Sequence, residues 1–322
     1  MPPTSRWKQL LDDRLVEAVN VLGAIPGVHG LIVGGSVGRG EPWPMSDIDL
    51  LPVYVSTMEP SRQVEKCQSE LVDWWAASGH AQTLDTGWLA FTAQELRDAI
   101  DTGPEGMAQR MADPRWFHGL DKAYGGHAAT SDDELTTEYT HWATHIRFHP
   151  AVVAARLRRW RDEAHQAAAE AVSLNDSDPR RSTHLLREAA RALRMVCIEG
   201  WGERLGSMGR EWTRFERIAE RHGARLLADR IAALAGADPK EAAERAKAAP
   251  AWLLERIDLS HRARIMIGED VTAEENARDQ LAAFTVHVTR HRSDLDGPWT
   301  GSPDRALHEH LAELHELLTR HG

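Results

Sequence analysis

The chain has 322 residues, of which 42% are hydrophobic and 27% are charged, and its 38 basic and 49 acidic residues give a formal net charge of −11. This composition excludes a disordered or fibrous protein, and the length is enough for about two domains. With only two cysteines, neither a disulfide framework nor a cysteine zinc site is expected. We see no signal-peptide core and no apolar run of membrane-spanning length, so we expect a cytoplasmic protein that does not contact a membrane.

The first predicted strand ends in a glycine-rich turn. The apolar run Gly30-Leu31-Ile32-Val33 is typical of a buried strand, and it leads directly into Gly34, Gly35 and Ser36. Two adjacent glycines let the backbone approach a polyphosphate closely. Their N–H groups, the Ser36 hydroxyl and a following helix N-terminus can donate hydrogen bonds to its oxygens. The turn is therefore a candidate phosphate-binding site.

Two aspartates stand at the start of the second predicted strand, which covers residues 47–55. Side chains two positions apart leave a strand on the same face, so Asp47 and Asp49 are predicted to point together while Ile48 and Leu50 enter the core. Paired carboxylates repel each other unless a cation lies between them, and Mg²⁺ prefers hard oxygen ligands. The pair predicts a metal site that carries a nucleoside triphosphate.

Gly34, Gly35, Ser36, Asp47 and Asp49 together resemble the signature of the nucleotidyltransferase superfamily related to DNA polymerase β. That signature is a strand, Gly-(Gly/Ser)-Ser, about ten residues, and Asp-x-Asp in the next strand. The layout is similar to that of aminoglycoside and other small-molecule nucleotidyltransferases with a helical C-terminal half. The resemblance covers residues 25–125 by motif and the rest by architecture only. The alternative, a tight turn plus two solvated aspartates, does not explain why charges interrupt an apolar strand.

Members of the superfamily usually place a third carboxylate on a later strand, so the resemblance implies one downstream. After a predicted helix over residues 61–78, residues 79–92 are typical of two short strands or of one strand bent at Gly87. Asp85 is the only acid in this segment and is the candidate third carboxylate, as a metal ligand or as the base for the attacking hydroxyl. The alternatives are an ordinary turn aspartate at position 85, and Asp121 in the third position.

From about residue 130 the strand signals almost vanish and helices are predicted to the end of the chain. The predicted helices cover residues 132–149, 151–174, 181–205, 213–221, 224–234, 240–257, 273–294 and 304–321. The fold class is therefore α+β. A nucleotidyltransferase-type mixed sheet with flanking helices is expected in a catalytic domain over residues 1–130, followed by a helical bundle over residues 131–322 that completes the acceptor and nucleotide cleft.

Three more side chains are candidates for nucleotide binding. Arg39 lies in the predicted cradle loop, where it either contacts phosphate or pairs with Glu41. Ser46, directly before Asp47, either hydrogen-bonds a carboxylate or the nucleotide, or is only a turn residue. Arg210 lies between two predicted helices, at a position comparable to one that contacts phosphate in the family. The alternative for Arg210 is a solvated arginine paired with a glutamate.

We therefore predict an enzyme, a metal-dependent nucleotidyltransferase that uses Mg²⁺, with two ions expected. It would move a nucleoside monophosphate from a nucleoside triphosphate, with ATP the expected donor, to a hydroxyl of a small molecule and release pyrophosphate. The acceptor would be an aminoglycoside-like antibiotic, in which case the enzyme confers antibiotic resistance, or a biosynthetic intermediate. The acidic balance argues mildly against nucleic acid, and the resemblance allows a homodimer. Two alternatives stay open: transfer onto RNA or protein, and a nucleotide-binding protein without catalysis.

Overall fold

The structure, a computed structural model, describes residues 3–79, 81–130, 132–206 and 209–321. The protein is α+β and 68% helical, with one small mixed sheet of five strands. The chain divides into two units, residues 1–156 and 157–322, whereas the sequence placed the boundary between residues 130 and 131. Among the described residues, the structure contains no helix that is both long and apolar enough to cross a membrane.

The first unit alternates helices with short strands. Its elements are α1 (Pro3–Gly23), β1 (Val28–Val33), α2 (Gly35–Gly38), β2 (Ile48–Tyr54), α3 (Ser61–Ala77), β3 (Leu84–Asp85), β4 (Phe91–Thr92), α4 (Ala93–Arg110), α5 (Pro114–Ala123), β5 (His127–Ala128), α6 (Glu134–Ile146) and the beginning of α7 (Pro150–Leu174). The helix predicted over residues 61–78 is confirmed. The segment 79–92 forms two short strands rather than one bent strand, and its residue 80 lies outside the described residues.

Strand β2 is the centre of the sheet. It pairs antiparallel with β1, with Val33 opposite Leu50, and β1 in turn pairs antiparallel with β5. On its other side β2 pairs in parallel with two short strands, β3 near its start and β4 near its end. All seven residues of β2 are buried, which agrees with a strand that has neighbours on both sides. A charged residue in β2 is therefore exceptional.

Helices α1 and α3 pack with β1, β2 and β3 around the hydrophobic core of the first unit. Leu22 of α1, Ile48 of β2 and Trp75 of α3 are fully buried in this cluster. Helix α4 begins with a capping box, in which the Thr92 hydroxyl accepts the backbone N–H of Glu95 and the Glu95 carboxylate accepts the backbone N–H of Thr92. The core and this cap fix the edge of the sheet that carries β3 and β4.

The described part of the second unit contains helices and no strand. After the end of α7 come α8 (Pro179–Gly200), α9 (Glu211–Arg221), α10 (Arg225–Leu234), α11 (Pro239–Ala246), α12 (Ala251–Met266), α13 (Ala273–His291) and α14 (Leu307–His321), with two short 3₁₀ turns at Ser293–Leu295 and Pro298–Thr300. The prediction of a helical second half is confirmed. The single helix predicted over residues 240–257 is wrong, because the chain breaks before Pro250 and forms α11 and α12.

Candidate functional site

Asp49 is the buried centre of the candidate site. It lies in β2, and only 3% of the residue is exposed. Its backbone oxygen accepts a hydrogen bond of 2.9 Å from the backbone N–H of Gly34, which holds the glycine turn beside the strand. A carboxylate buried in this way is costly unless a cation or several donors face it. The strand therefore carries a charge that its surroundings must neutralise.

The glycine turn is shaped around the Asp49 carboxylate. Gly35 has a φ of +60°, and a Cβ atom added there would overlap Oδ2 of Asp49. A Cβ atom on Gly34 would come within 2.6 Å of the backbone oxygen of Lys122. Glycine is therefore required at position 35 for its backbone conformation and at both positions for close packing. The helix expected after the turn is present as α2, which has only four residues.

The cation that faces Asp49 is the ammonium of Lys122, a residue that sequence reasoning missed. Nζ of Lys122 forms an ion pair with Oδ1 of Asp49 and lies 4.0 Å from Oδ2 of Asp85. Lys122 belongs to α5, whose buried residues are Trp116, Phe117, Gly119, Leu120 and Ala123. A single lysine among so many buried residues indicates a functional charge, and this pattern could have identified Lys122 from the sequence.

Burial and the neighbouring charges both shift the pKa values of this ion pair. Burial raises the pKa of Asp49, Lys122 lowers it, and the charges of Asp47 and Asp85 raise it, for a net pKa above the ordinary value of 3.8. Burial lowers the pKa of Lys122, but the three aspartates together raise it above the ordinary value of 10.5. Three carboxylates therefore hold the Lys122 ammonium in its charged form.

The structure brings the two other predicted carboxylates close to this pair. Asp85 is the register partner of Asp49 across the parallel strands β2 and β3, and its side chain is 48% exposed. Asp47 is half-buried and directly precedes β2, which begins one residue later than expected. Both carboxylates act electrostatically on Asp49 and Lys122. The group therefore has one buried carboxylate and two that solvent reaches.

Ser36 and Ser46, the two hydroxyls predicted to contact a nucleotide, are bonded to each other. Their Oγ atoms lie 2.8 Å apart, and both residues are buried. Oγ of Ser46 also accepts a hydrogen bond of 3.0 Å from the backbone N–H of Trp43, and the backbone oxygen of Ser46 accepts one of 2.6 Å from Nε2 of Gln82. The serine pair joins the start of α2 to the segment before β2, and its nucleotide contact stays a prediction.

The two predicted arginines have carboxylate neighbours. Nε of Arg39 lies 3.8 Å from Oε2 of Glu41, which corresponds to the second of the two roles considered for it. Arg210 belongs to the second unit, where it precedes α9, is 3% exposed and lies 3.8 Å from Glu269. Burial lowers the pKa of Arg210 to about 10, with the charge of Arg214 as the second cause. Phosphate contacts of both arginines stay predictions.

Asp121, the alternative third carboxylate, is engaged by arginines. Its Oδ1 atom lies 3.0 Å from Nε of Arg147 and 3.7 Å from Nη2 of Arg156, and both arginine side chains are almost fully buried. Removing Asp121 would leave these two buried cations without that carboxylate. Asp121 is therefore a structural ion-pair partner, and Asp85 is the carboxylate that the sheet places beside Asp49.

The donor atoms around Asp49 suit a divalent cation chemically. Three carboxylates and the hydroxyls of Ser36 and Ser46 are the hard oxygen ligands that Mg²⁺ prefers. Within the described ranges, however, no group of three or more His, Cys, Asp or Glu side chains has the spacing that would hold a metal ion. The carboxylates are instead arranged around the ammonium of Lys122. A metal ion would therefore have to displace this ammonium from Asp49.

No protein-family model, no curated protein and no solved structure matches this chain.

Proposed function

We propose that the protein is a metal-dependent nucleotidyltransferase that moves a nucleoside monophosphate from a nucleoside triphosphate to a hydroxyl of a small molecule. The observation that carries this proposal is the register of Asp49 opposite Asp85, beside the turn formed by Gly34, Gly35 and Ser36. ATP is the expected donor, and pyrophosphate is the second product.

The order of the strands also supports the proposal. Strand β1 leads into the glycine turn, β2 returns antiparallel to it with the Asp-x-Asp pair at its start, and β3 runs parallel to β2 with Asp85 beside Asp49. This is the order in which the polymerase-β-like resemblance expects a strand, the turn, two carboxylates and a third. A chance pair of surface aspartates would not require a third carboxylate in register with the buried one.

In the proposed reaction Asp47, Asp49 and Asp85 would hold Mg²⁺, which would supply positive charge to neutralise the triphosphate. The backbone N–H groups of the glycine turn bind phosphate oxygens. The acceptor hydroxyl attacks the α-phosphorus in line, a new P–O bond forms to the acceptor, and the bond to the leaving pyrophosphate breaks. Asp85, which solvent reaches, takes the proton of the attacking hydroxyl. Lys122, released from Asp49, adds a positive charge near the phosphates.

Calorimetric titration tests the donor site. Each of the four common nucleoside triphosphates is titrated into the protein with Mg²⁺ and with chelator, and the titrations are repeated on Asp47→Asn and on Asp12→Asn. Asp12 is an exposed residue of α1 and serves as the matched control. We expect magnesium-dependent binding of one nucleotide that is lost in Asp47→Asn and kept in Asp12→Asn. Absence of binding by all four nucleotides under every metal condition would contradict the proposal.

A nucleotide-binding protein without catalysis is the second candidate, and the ion pair between Lys122 and Asp49 favours it. Because this lysine satisfies the buried carboxylate without any metal, the fold does not depend on a divalent ion for neutrality. Pyrophosphate release in the presence of a panel of hydroxylated acceptors, starting with aminoglycosides, separates the candidates. Release above the acceptor-free rate supports transfer. Nucleotide binding without release for any acceptor supports the second candidate.

A further inference from the structure

A pocket within the helical unit is lined by two arginines. It has a volume of about 360 Å³. Its walls come from α8, the end of α10, the chain between α10 and α11, α11 itself, and the segment around the start of α14. Arg187 of α8 and Arg245 of α11 both line it. None of the residues assigned to nucleotide transfer belongs to this pocket, so it requires its own explanation.

Gly236 brings the two guanidinium groups together. Nη2 of Arg245 donates a hydrogen bond of 2.7 Å to the backbone oxygen of Gly236. A Cβ atom added to the same glycine would come within 2.8 Å of Nε of Arg187. Nη1 of Arg187 donates to the backbone oxygen of Thr300 at 2.8 Å. Both arginines are thus held in place by neutral backbone acceptors around one glycine.

Neither guanidinium has a carboxylate within ion-pair distance among the described residues, although the charge of Glu241 acts on both arginines. No ion pair within 4.0 Å involves Arg187 or Arg245, and each makes one side-chain hydrogen bond although a guanidinium carries five N–H donors. Nε of Arg245 is buried without a hydrogen-bond partner. Burial lowers the pKa of Arg187 to about 10, and the charge of Arg245 is the second cause. Two neighbouring cations with free donors are the arrangement that recognises an oxyanion.

Three carboxylates line the same pocket and set a second condition for the ligand. Asp304 lies 2.6 Å from Nδ1 of His310, and Asp238 caps α11 by accepting the backbone N–H of Glu241. Glu241 itself is exposed and makes no ion pair within the described structure. Because the two cations share the pocket with three carboxylates, a simple anion is partly repelled. A ligand that also carries a positive charge avoids this repulsion.

We propose that Arg187 and Arg245 form a binding site for a small zwitterion, whose phosphate or carboxylate group binds the two guanidinium groups while its ammonium group faces Glu241. The site is separate from the proposed transfer reaction and does not depend on it. Aminoalkyl phosphates are one chemical class of this kind, and O-phosphoethanolamine is the simplest probe for it.

Calorimetric titration at constant ionic strength, without nucleotide, tests the site with three probes. O-phosphoethanolamine should bind, inorganic phosphate should bind more weakly, and ethanolamine should not bind. Arg187→Gln and Arg245→Gln should each weaken O-phosphoethanolamine binding roughly tenfold, because each removes charge-assisted donors. Arg262→Gln changes an exposed arginine of α12 that pairs with Asp258, and it should leave the affinity unchanged.

Glu241→Gln keeps the test valid if the arginine variants fold poorly, because Glu241 is exposed. This variant should weaken O-phosphoethanolamine several-fold and tighten inorganic phosphate, since it removes both the partner of the ammonium and the repulsion of the anion. Absence of binding by both phosphate probes would overturn the proposal, as would binding that Arg187→Gln and Arg245→Gln leave unchanged in folded protein. Tighter binding of inorganic phosphate than of O-phosphoethanolamine to the unaltered protein would overturn the zwitterion assignment.

Discussion

The ammonium of Lys122 is paired with the buried carboxylate of Asp49 and lies 4.0 Å from Oδ2 of Asp85. A lysine therefore occupies the position at which the proposed function requires a metal ion. Asp49 is almost fully buried, and it therefore needs a positive partner whenever its carboxyl group is ionised. The lysine supplies that partner in the absence of metal. A divalent ion bound by Asp49 and Asp85 would compete directly with it.

Lys122→Met should therefore have opposite effects on stability and on metal affinity. Without metal it leaves the Asp49 carboxylate without its cation, and we expect a loss of about 3 kcal/mol in the free energy of unfolding. With the competing ammonium gone, the affinity for Mn²⁺, measured by calorimetry, should rise roughly tenfold. Lys66→Met, which changes an exposed lysine of α3 paired with Glu70, is the control for both measurements.

The two measurements separate the lysine's role from the proposed function. If neither the unaltered protein nor Lys122→Met binds Mn²⁺, the metal site itself is wrong. If the unaltered protein binds Mn²⁺ and Lys122→Met binds it with the same affinity, the metal site stands and the competition by Lys122 is wrong.

Asp85→Asn should separate proton removal from nucleotide binding. The exposed Asp85 side chain can reach an acceptor hydroxyl, whereas the buried Asp49 cannot. If Asp85 removes the proton, turnover should fall by roughly a hundredfold or more, and by a larger factor than nucleotide affinity. Steady-state rates and calorimetric affinities on the same preparation check this. An equal loss in both quantities would assign Asp85 to the metal alone, and an unchanged rate would remove it from the site.

Local sequence pattern predicted the turn and the Asp47–Asp49 pair because each depends on neighbouring residues. Asp85 was predicted because the resemblance implies a third carboxylate downstream and Asp85 is the single acid in its segment. The Lys122 pair could not be predicted in the same way, because 73 positions separate this lysine from Asp49. Only the packing of α5 against the sheet brings them together. The break between α11 and α12, by contrast, was readable from Pro250.

Local sequence pattern also could not predict which side chains contact Ser36, Ser46 and Asp121. Ser36 and Ser46 form one hydrogen-bonded pair across the turn, although the sequence treated them as separate ligands. Asp121 was a plausible third carboxylate by position, but it is paired with Arg147, which directly follows α6, and with Arg156 of α7.

Gly35→Ala should destabilise the first unit much more than Gly40→Ala. Both glycines have positive φ, +60° and +71°, so alanine costs about 1–2 kcal/mol of backbone strain at each position. At Gly35 the added Cβ atom also overlaps Oδ2 of Asp49, whereas nothing lies within 4 Å of a Cβ atom on Gly40. We expect a further loss of about 2 kcal/mol at position 35, measured by urea unfolding. Equal losses in the two variants would show that the turn does not enclose the carboxylate.

Glu95 should make stability depend on pH in the acid range. Burial alone would raise the pKa of Glu95, but hydrogen bonds from Arg115 and the Thr92 backbone, with the Arg115 charge, lower it below the ordinary value of 4.5. A carboxyl group with a lowered pKa in the folded protein binds fewer protons there than in the unfolded chain. Its contribution is therefore present above pH 4.5 and is lost as the pH falls through the folded-state pKa.

Glu95→Gln should flatten the fall in the free energy of unfolding below pH 4.5 and cost about 1–2 kcal/mol at neutral pH, where the capping box and the Arg115 pair are weakened. Glu105→Gln, an exposed position on the same helix, is the matched control and should keep the slope of the unaltered protein. Urea unfolding at a series of pH values measures both quantities. A retained slope in Glu95→Gln would mean that other carboxylates govern acid stability.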